Sequence, residues 1–261
     1  MINFSQLTEV QILMFAMILL RMIAFITSAA VFSSANISIL VKISFSILLT
    51  LIVFQTVATN EALVRLHENE GNLIMLSARE VLVGLALGFV TRLFFFSISM
   101  AGELVSLSLG LSQAQIFNPM MGAMGNVVEQ FYVVIGTLMY LILNGHHLLI
   151  QGLVHSFSTI QVAKLSFQVG ALSEIVLKAQ GFFVLGIQIA APIMISMIIV
   201  QVGIALLSRA VPQINVLVTS ASITSLLGMI IIFVSLPLLV MQMTGLLDLT
   251  SIEFFKFLKA I

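Results

Sequence analysis

The chain contains no cysteine in 261 residues, which removes disulfides, thiolate metal ligands and cysteine nucleophiles in one step. Charge is scarce too. Ten Lys and Arg residues and ten Asp and Glu residues make up 8% of the chain and cancel to a net charge of zero. No basic stripe points to nucleic acid and no acidic tract points to a disordered tail. Internal repeats, heptads and low-complexity tracts are absent. So is the Gly-rich turn ending in Lys and Ser/Thr that would cradle a nucleotide phosphate. Met1 to Glu9 carries no Lys or Arg ahead of the first apolar run, and no small-residue cleavage pattern follows, so that run is read as retained.

What is present is apolar. Hydrophobic residues are 61% of the chain and the mean hydropathy is +1.23, whereas soluble domains are about half apolar and about a quarter charged. The remaining polar surface could not cover a core of that size. Lipid, or protein replacing lipid, must supply the cover.

A membrane-spanning helix needs about 20 mostly apolar residues. Apolar runs occur at roughly 10–32, 37–59, 73–101, 127–149, 175–208 and 213–247, which makes six segments. The last two exceed one simple span, which predicts tilt, kinks or a hairpin of broken helices. Asn60 to Asn72 reads as water-exposed, and 150–178 as a weakly polar connection on the protein surface. If all six runs cross, Arg65, Arg79, Lys164, Lys178, Lys256 and Lys259 lie on the side of both termini, against Lys42 and Arg209 opposite. The excess of positive charge then places both termini in the cytoplasm. Gly84 and Gly88 form a small-xxx-small pair suited to close helix packing.

The apolar runs contain Arg21, Glu80, Arg92, Glu103, Glu129 and Arg209. A charge in hydrocarbon is expensive, so each should face a partner, a watery cavity or the membrane edge. Anchoring or a buried pair between subunits accounts for them better than a proton relay. Arg92 and Glu103 are eleven residues apart, about three helical turns, and return to one face. Among the histidines, adjacent His146 and His147 project about 100° apart on a helix, and no nearby Asp completes a ligand set, so no metal is expected. No catalytic constellation can be assembled, so the chain reads as not an enzyme and no cofactor is expected.

Two segments interrupt the apolar pattern. Gly110 to Gly125 holds three glycines, Pro119 and two glutamines, and cannot be a continuous lipid-facing helix. Non-helical backbone at membrane depth is tolerated only inside protein or against a watery cavity. Phe117, Met120, Met121 and Met124 would give this loop bulky, adaptable apolar tips. Its plainer reading is an ordinary surface loop. The second interruption is Arg209 to Asn215, where Pro212 should stop the incoming helix near Arg209 and leave a hairpin with a polar tip.

These pieces, in this order, resemble the FliR family, called SctT in injectisomes. The resemblance rests on Leu20-Arg21, on Arg79-Glu80 through Phe89, and on Ala101-Gly102-Glu103 through Leu111. It continues through Phe117-Asn118-Pro119, Asn144-Gly145-His146 with Ser156-Phe157, and Leu207 through Pro212 to Asn215. The family usually has Asp where Asn118 stands, which puts in doubt any role needing a carboxylate there. The resemblance implies an all-α membrane protein of kinked helical hairpins, with a FliP-like portion over 1–150 joined to a FliQ-like portion over 175–261. It implies a core subunit of the type III protein export gate, assembled with FliP and FliQ and contacted by FlhB. Unfolded flagellar proteins would leave through that conduit across the inner membrane, at the flagellar basal body. Phe117, Asn118, Pro119, Met120, Met121 and Met124 would form its gate or plug loop, and Arg21, Glu80, Arg92, Glu103 and Arg209 its assembly charges. The match is more flagellar than injectisome-like. The alternative is a small-solute transporter or channel whose path is lined by Arg92, Glu103 and the broken segments.

Overall fold

The computed structural model describes residues 9–33, 37–59, 63–64, 66, 72–111, 126–162, 170–210 and 216–260. Every regular element among them is an α-helix: α1 Glu9–Ser28, α2 Ile39–Val57, α3 Leu73–Ser108, α4 Val127–Ile142, α5 Gly145–Thr159, α6 Gly170–Ala210 and α7 Val216–Ala260. Helix is what such runs require, because a backbone in lipid must satisfy its own polar groups. The hydroxyls comply as well: Thr27, Ser46, Thr50, Thr137 and Ser196 donate to carbonyls one turn earlier at 2.7–2.8 Å.

The helix ends are written in the sequence. At the close of α3, Gly110 takes φ +76°, its N–H bonds the Leu107 carbonyl at 3.1 Å, and the Leu111 N–H bonds that of Ser106 at 3.3 Å. This paired closure needs a left-handed residue, which glycine supplies without strain. Asn126 caps α4 by accepting from the Val128 N–H at 3.1 Å.

Among the described residues, five helices are long and apolar enough to cross a membrane, and α4 with α5 makes a sixth if the pair counts as one span. That pair corrects the single run read over 127–149; in the connection read over 150–178, Gln151, Val154, His155, Ser158 and Thr159 are exposed, and residues 163–169 lie outside the described residues. Asn144 adopts φ 58°, the chain bends by 66° between the two helices, and helix continues to Thr159. Asn-Gly at 144–145 is a turn signal that hydropathy alone overrides. Helix α6 ends at Ala210, one residue beyond Arg209, while Pro212 lies outside the described residues. Helices α6 and α7 run for 41 and 45 residues with Pro192 and Pro237 inside them. At 1.5 Å per residue they reach about 60 and about 68 Å, twice the roughly 30 Å hydrocarbon core.

The chain packs as two units of interleaved stretches, one drawn from Met1–Leu93, Asn144–Lys178 and Leu249–Ile261, the other from Phe94–Leu143 and Ala179–Asp248. In the first, Met14, Ile18, Met22 and Phe25 bury one face of α1, and Leu76, Val83 and Leu87 are buried on α3. Gly84 and Gly88 let these helices touch. A Cβ on Gly84 would lie 2.5 Å from the Arg21 carbonyl oxygen, and one on Gly88 would strike Ser28. In the second unit, Tyr132 and Tyr140 of α4 are buried, Tyr140 with its ring 5.4 Å from that of Phe94. Ser97 of α3 donates to the Phe182 carbonyl of α6 at 2.8 Å.

Candidate functional site

The most concentrated polar chemistry among the described residues lies inside the first unit, at Arg21. Side-chain exposure is 0% for both Arg21 and Glu80, a placement that apolar surroundings penalise unless every charge is matched. Matching is close to complete. Arg21 Nε donates to Glu80 Oε2 at 2.6 Å, and Nη2 lies 2.5 Å from the same oxygen. Nη1 donates to Ser156 Oγ at 3.2 Å, and Nη2 also donates to the Ile160 carbonyl at 3.0 Å. Ser156 can accept because its own proton goes to the Leu153 carbonyl at 2.6 Å. The guanidinium carbon stands 4.2 Å above the Phe157 ring, adding a cation–π contact.

A second arginine extends the network. Arg79 Nη1 donates to the Gln161 carbonyl at 3.2 Å and lies 3.5 Å from Glu80 Oε1. Two cations therefore share one carboxylate. Arg79 Nε and Glu80 Oε1 have no hydrogen-bond partner among the described residues. The cluster ties α1, α3, α5 and the stretch after α5 together at one point. Its charge-assisted hydrogen bonds hold these elements together in the manner of a fastener.

The remaining charges singled out from sequence are elsewhere. Arg92 is exposed on α3, with Nε donating to the Ser28 carbonyl at 2.6 Å. That carbonyl belongs to the last turn of α1, where a cation suits the helix dipole. Glu103 on α3 and Arg209 in the last turn of α6 are exposed. Glu129, in the first turn of α4, accepts from Ser99. Phe117, Asn118, Pro119, Met120, Met121, Met124 and Pro212 lie outside the described residues. Sequence reasoning did not join Arg21 to Glu80, nor see the roles of Ser156 and the carbonyls of Ile160 and Gln161. The available signal was that Arg21 stands alone in its apolar run and needs an opposite charge from another segment, which Glu80 can supply.

Among the described residues, seven helices, five of them long and apolar enough to cross a membrane, with a buried ion pair fastening one unit, define an all-helical integral membrane protein. The family described as bacterial export proteins, family 1, matches residues 12–250. The chain belongs to that family, and it is a FliR-family component of bacterial flagellar export. It is 27% identical over 239 residues to the flagellar biosynthetic protein FliR of Bacillus subtilis, covering 90% of this chain and 91% of that one. To FliR of Pectobacterium carotovorum it is 29% identical over 219 residues, with 84% and 82% covered. To FliR of Aquifex aeolicus it is 33% identical over 174 residues, with 66% of each chain covered.

Proposed function

We propose that this chain is a core subunit of the flagellar type III export gate in the inner membrane. In this reading it assembles with FliP and FliQ, is contacted by FlhB, and helps form the conduit through which unfolded flagellar proteins leave the cytoplasm. The observation that carries the reading is the mixed outer face of α3. In the first unit, Arg92 of this helix is exposed beside exposed Phe89, and in the second, Glu103 is exposed ahead of exposed Leu107. Lipid suits the apolar members, whereas a charged side chain facing hydrocarbon is costly. Water suits the arginine and rejects the phenylalanine. A protein neighbour, or the wall of a polar path, accommodates both.

The wider surface agrees. Large apolar side chains are exposed along α6 from Phe183 to Leu207 and along α7 from Ile223 to Met241. Contiguous apolar surface beyond a few hundred Å² marks a protein or membrane contact. The division into a FliP-like portion over 1–150 and a FliQ-like portion over 175–261 belongs to the same proposal. So does a gating role for the loop of Phe117, Asn118, Pro119, Met120, Met121 and Met124, which rests on residue chemistry: methionine packs around many shapes, and a dry apolar constriction resists ions.

Purification tests the reading. Tagged chain expressed alone should aggregate in detergent, and should become monodisperse when FliP and FliQ are co-expressed and co-elute. A partner-free, monodisperse protein that transports a small solute after reconstitution would instead establish the transporter alternative.

A further inference from the structure

Helix α6 continues through Pro192, near the middle of its apolar stretch Ala179–Ala210. Proline has no N–H, so the carbonyl four residues earlier, that of Gln188, loses the donor an unbroken helix would give it. Lipid supplies none in exchange. Side chains on the same helix do not replace it. The residues one turn on, Ala191 and Pro192, carry no donor, and the Ser196 hydroxyl donates to the Pro192 carbonyl at 2.8 Å.

The donor comes from α7. Within the second unit, Gln242 Nε2 donates to the Gln188 carbonyl at 3.2 Å. A carbonyl only accepts, so this contact fixes which end of the amide faces it. The other end, Oε1, is buried and has no hydrogen-bond partner among the described residues. Leu239, Met243 and Leu246, beside Gln242 on α7, are buried and apolar. Packing alone would take Met or Leu at 242, and an amide with an idle buried oxygen costs stability there. The donated bond is what this side chain adds.

The end of α3, in the same unit, shows the same chemistry. The N–H groups of Leu109, Gly110 and Leu111 take the carbonyls of Val105, Leu107 and Ser106. These leave the Ser108 carbonyl, and Gln201 Nε2 of α6 donates to it at 3.0 Å. Both glutamines thus meet a carbonyl that a helix end or a proline deprives of its helical donor.

We propose that Gln242 is a positioning residue: by capping the Gln188 carbonyl from outside α6, it sets how far that helix opens at Pro192. The bend of α6 then depends on α7 being seated. A turn of α7 about its axis withdraws the amide, leaves the carbonyl unpaired and releases the break. The orientation of one helix and the bend of the other therefore change together. The inference concerns the chain itself and stands apart from the export-gate reading.

The test uses the full chain, purified with whatever partners it retains. It has no cysteine of its own, so cysteines introduced at Val184 and Val202, exposed positions on α6 that flank Pro192, carry a clean pair of spin labels. Pulsed electron resonance then reads the distance between them. The native chain should give one narrow distance distribution. Gln242→Met, which keeps length and apolar fit but has no donor, should broaden or shift it. Pro192→Ala restores an N–H to the Gln188 carbonyl, and in that background Gln242→Met should leave the distribution unchanged. Gln242→Met should also lower the melting temperature by several degrees in the native background and by far less in the Pro192→Ala background. An equal change in both would make Gln242 a packing residue and overturn the proposal. So would an unchanged distribution for Gln242→Met in the native background, a result that decides even if Pro192→Ala is not recovered.

Discussion

Glu80→Gln is the most informative single change in this molecule. The substitution keeps shape but turns one accepting oxygen into a donating NH2 and removes the one carboxylate that compensates Arg21, whose side chain has 0% exposure. Ser156 Oγ and the Ile160 carbonyl still accept from the guanidinium, yet both are neutral. Breaking a buried pair by removing one partner typically costs about 3–5 kcal/mol. That lowers the folded-to-unfolded ratio by a factor of roughly 10² to 4 × 10³, at about 1.4 kcal/mol per decade. Arg21→Met should cost a similar amount by stranding the carboxylate, although Arg79 at 3.5 Å relieves part of it. The double variant Arg21→Met with Glu80→Leu should lose much less than the two singles added, because a well-packed apolar pair often replaces a buried ion pair at little cost. The chain has no tryptophan, so a C-terminal fluorescent fusion, heated in detergent and assayed by size-exclusion chromatography, supplies the readout. Glu80→Gln melting with wild type, or a double variant as unstable as the summed singles, would refute the assignment of Arg21 and Glu80 as a fastener.

Gly84→Ala should destabilise by about 1–3 kcal/mol as overpacking, since its Cβ meets the Arg21 backbone. Gly203→Ala, with nothing within 4 Å, should be neutral or slightly stabilising in the isolated chain. Loss of complex recovery from Gly203→Ala would show a partner packed at that glycine. Glu103→Gln and Arg209→Ala, both at exposed positions, should lower co-recovery of FliP and FliQ without lowering the yield of the chain itself. Normal recovery with normal motility removes both from the assembly surface. Replacing 117–124 by a Gly/Ser linker should leave assembly largely intact and make cells leak ions. Wild-type permeability with normal export would make that segment a connection and place the seal on other subunits.

The helical class, the apolar segments and the close packing at Gly84 and Gly88 were legible because each follows from local composition and spacing. The break at Asn144 was missed although its dipeptide is a turn signal, because a hydropathy window averages over a single left-handed residue. The ion pair was half legible. Arg21 and Glu80 were identified as costly charges, but their contact joins positions 59 residues apart and completes itself through backbone carbonyls, which carry no residue-type signature. Ser156 was visible only through the family resemblance, since a serine in an apolar helix ordinarily satisfies itself by bonding back one turn.

The central claim is that the chain lines a path for unfolded protein. Site-specific photo-cross-linking in cells carrying a stalled export substrate tests it directly, with the cross-linker placed at Met121 and, as a control, at Leu40, an exposed residue of α2. The account predicts adducts between position 121 and the stalled substrate, and none from position 40. An assembled, export-competent complex that yields no substrate adduct at position 121 or at Glu103 would contradict it.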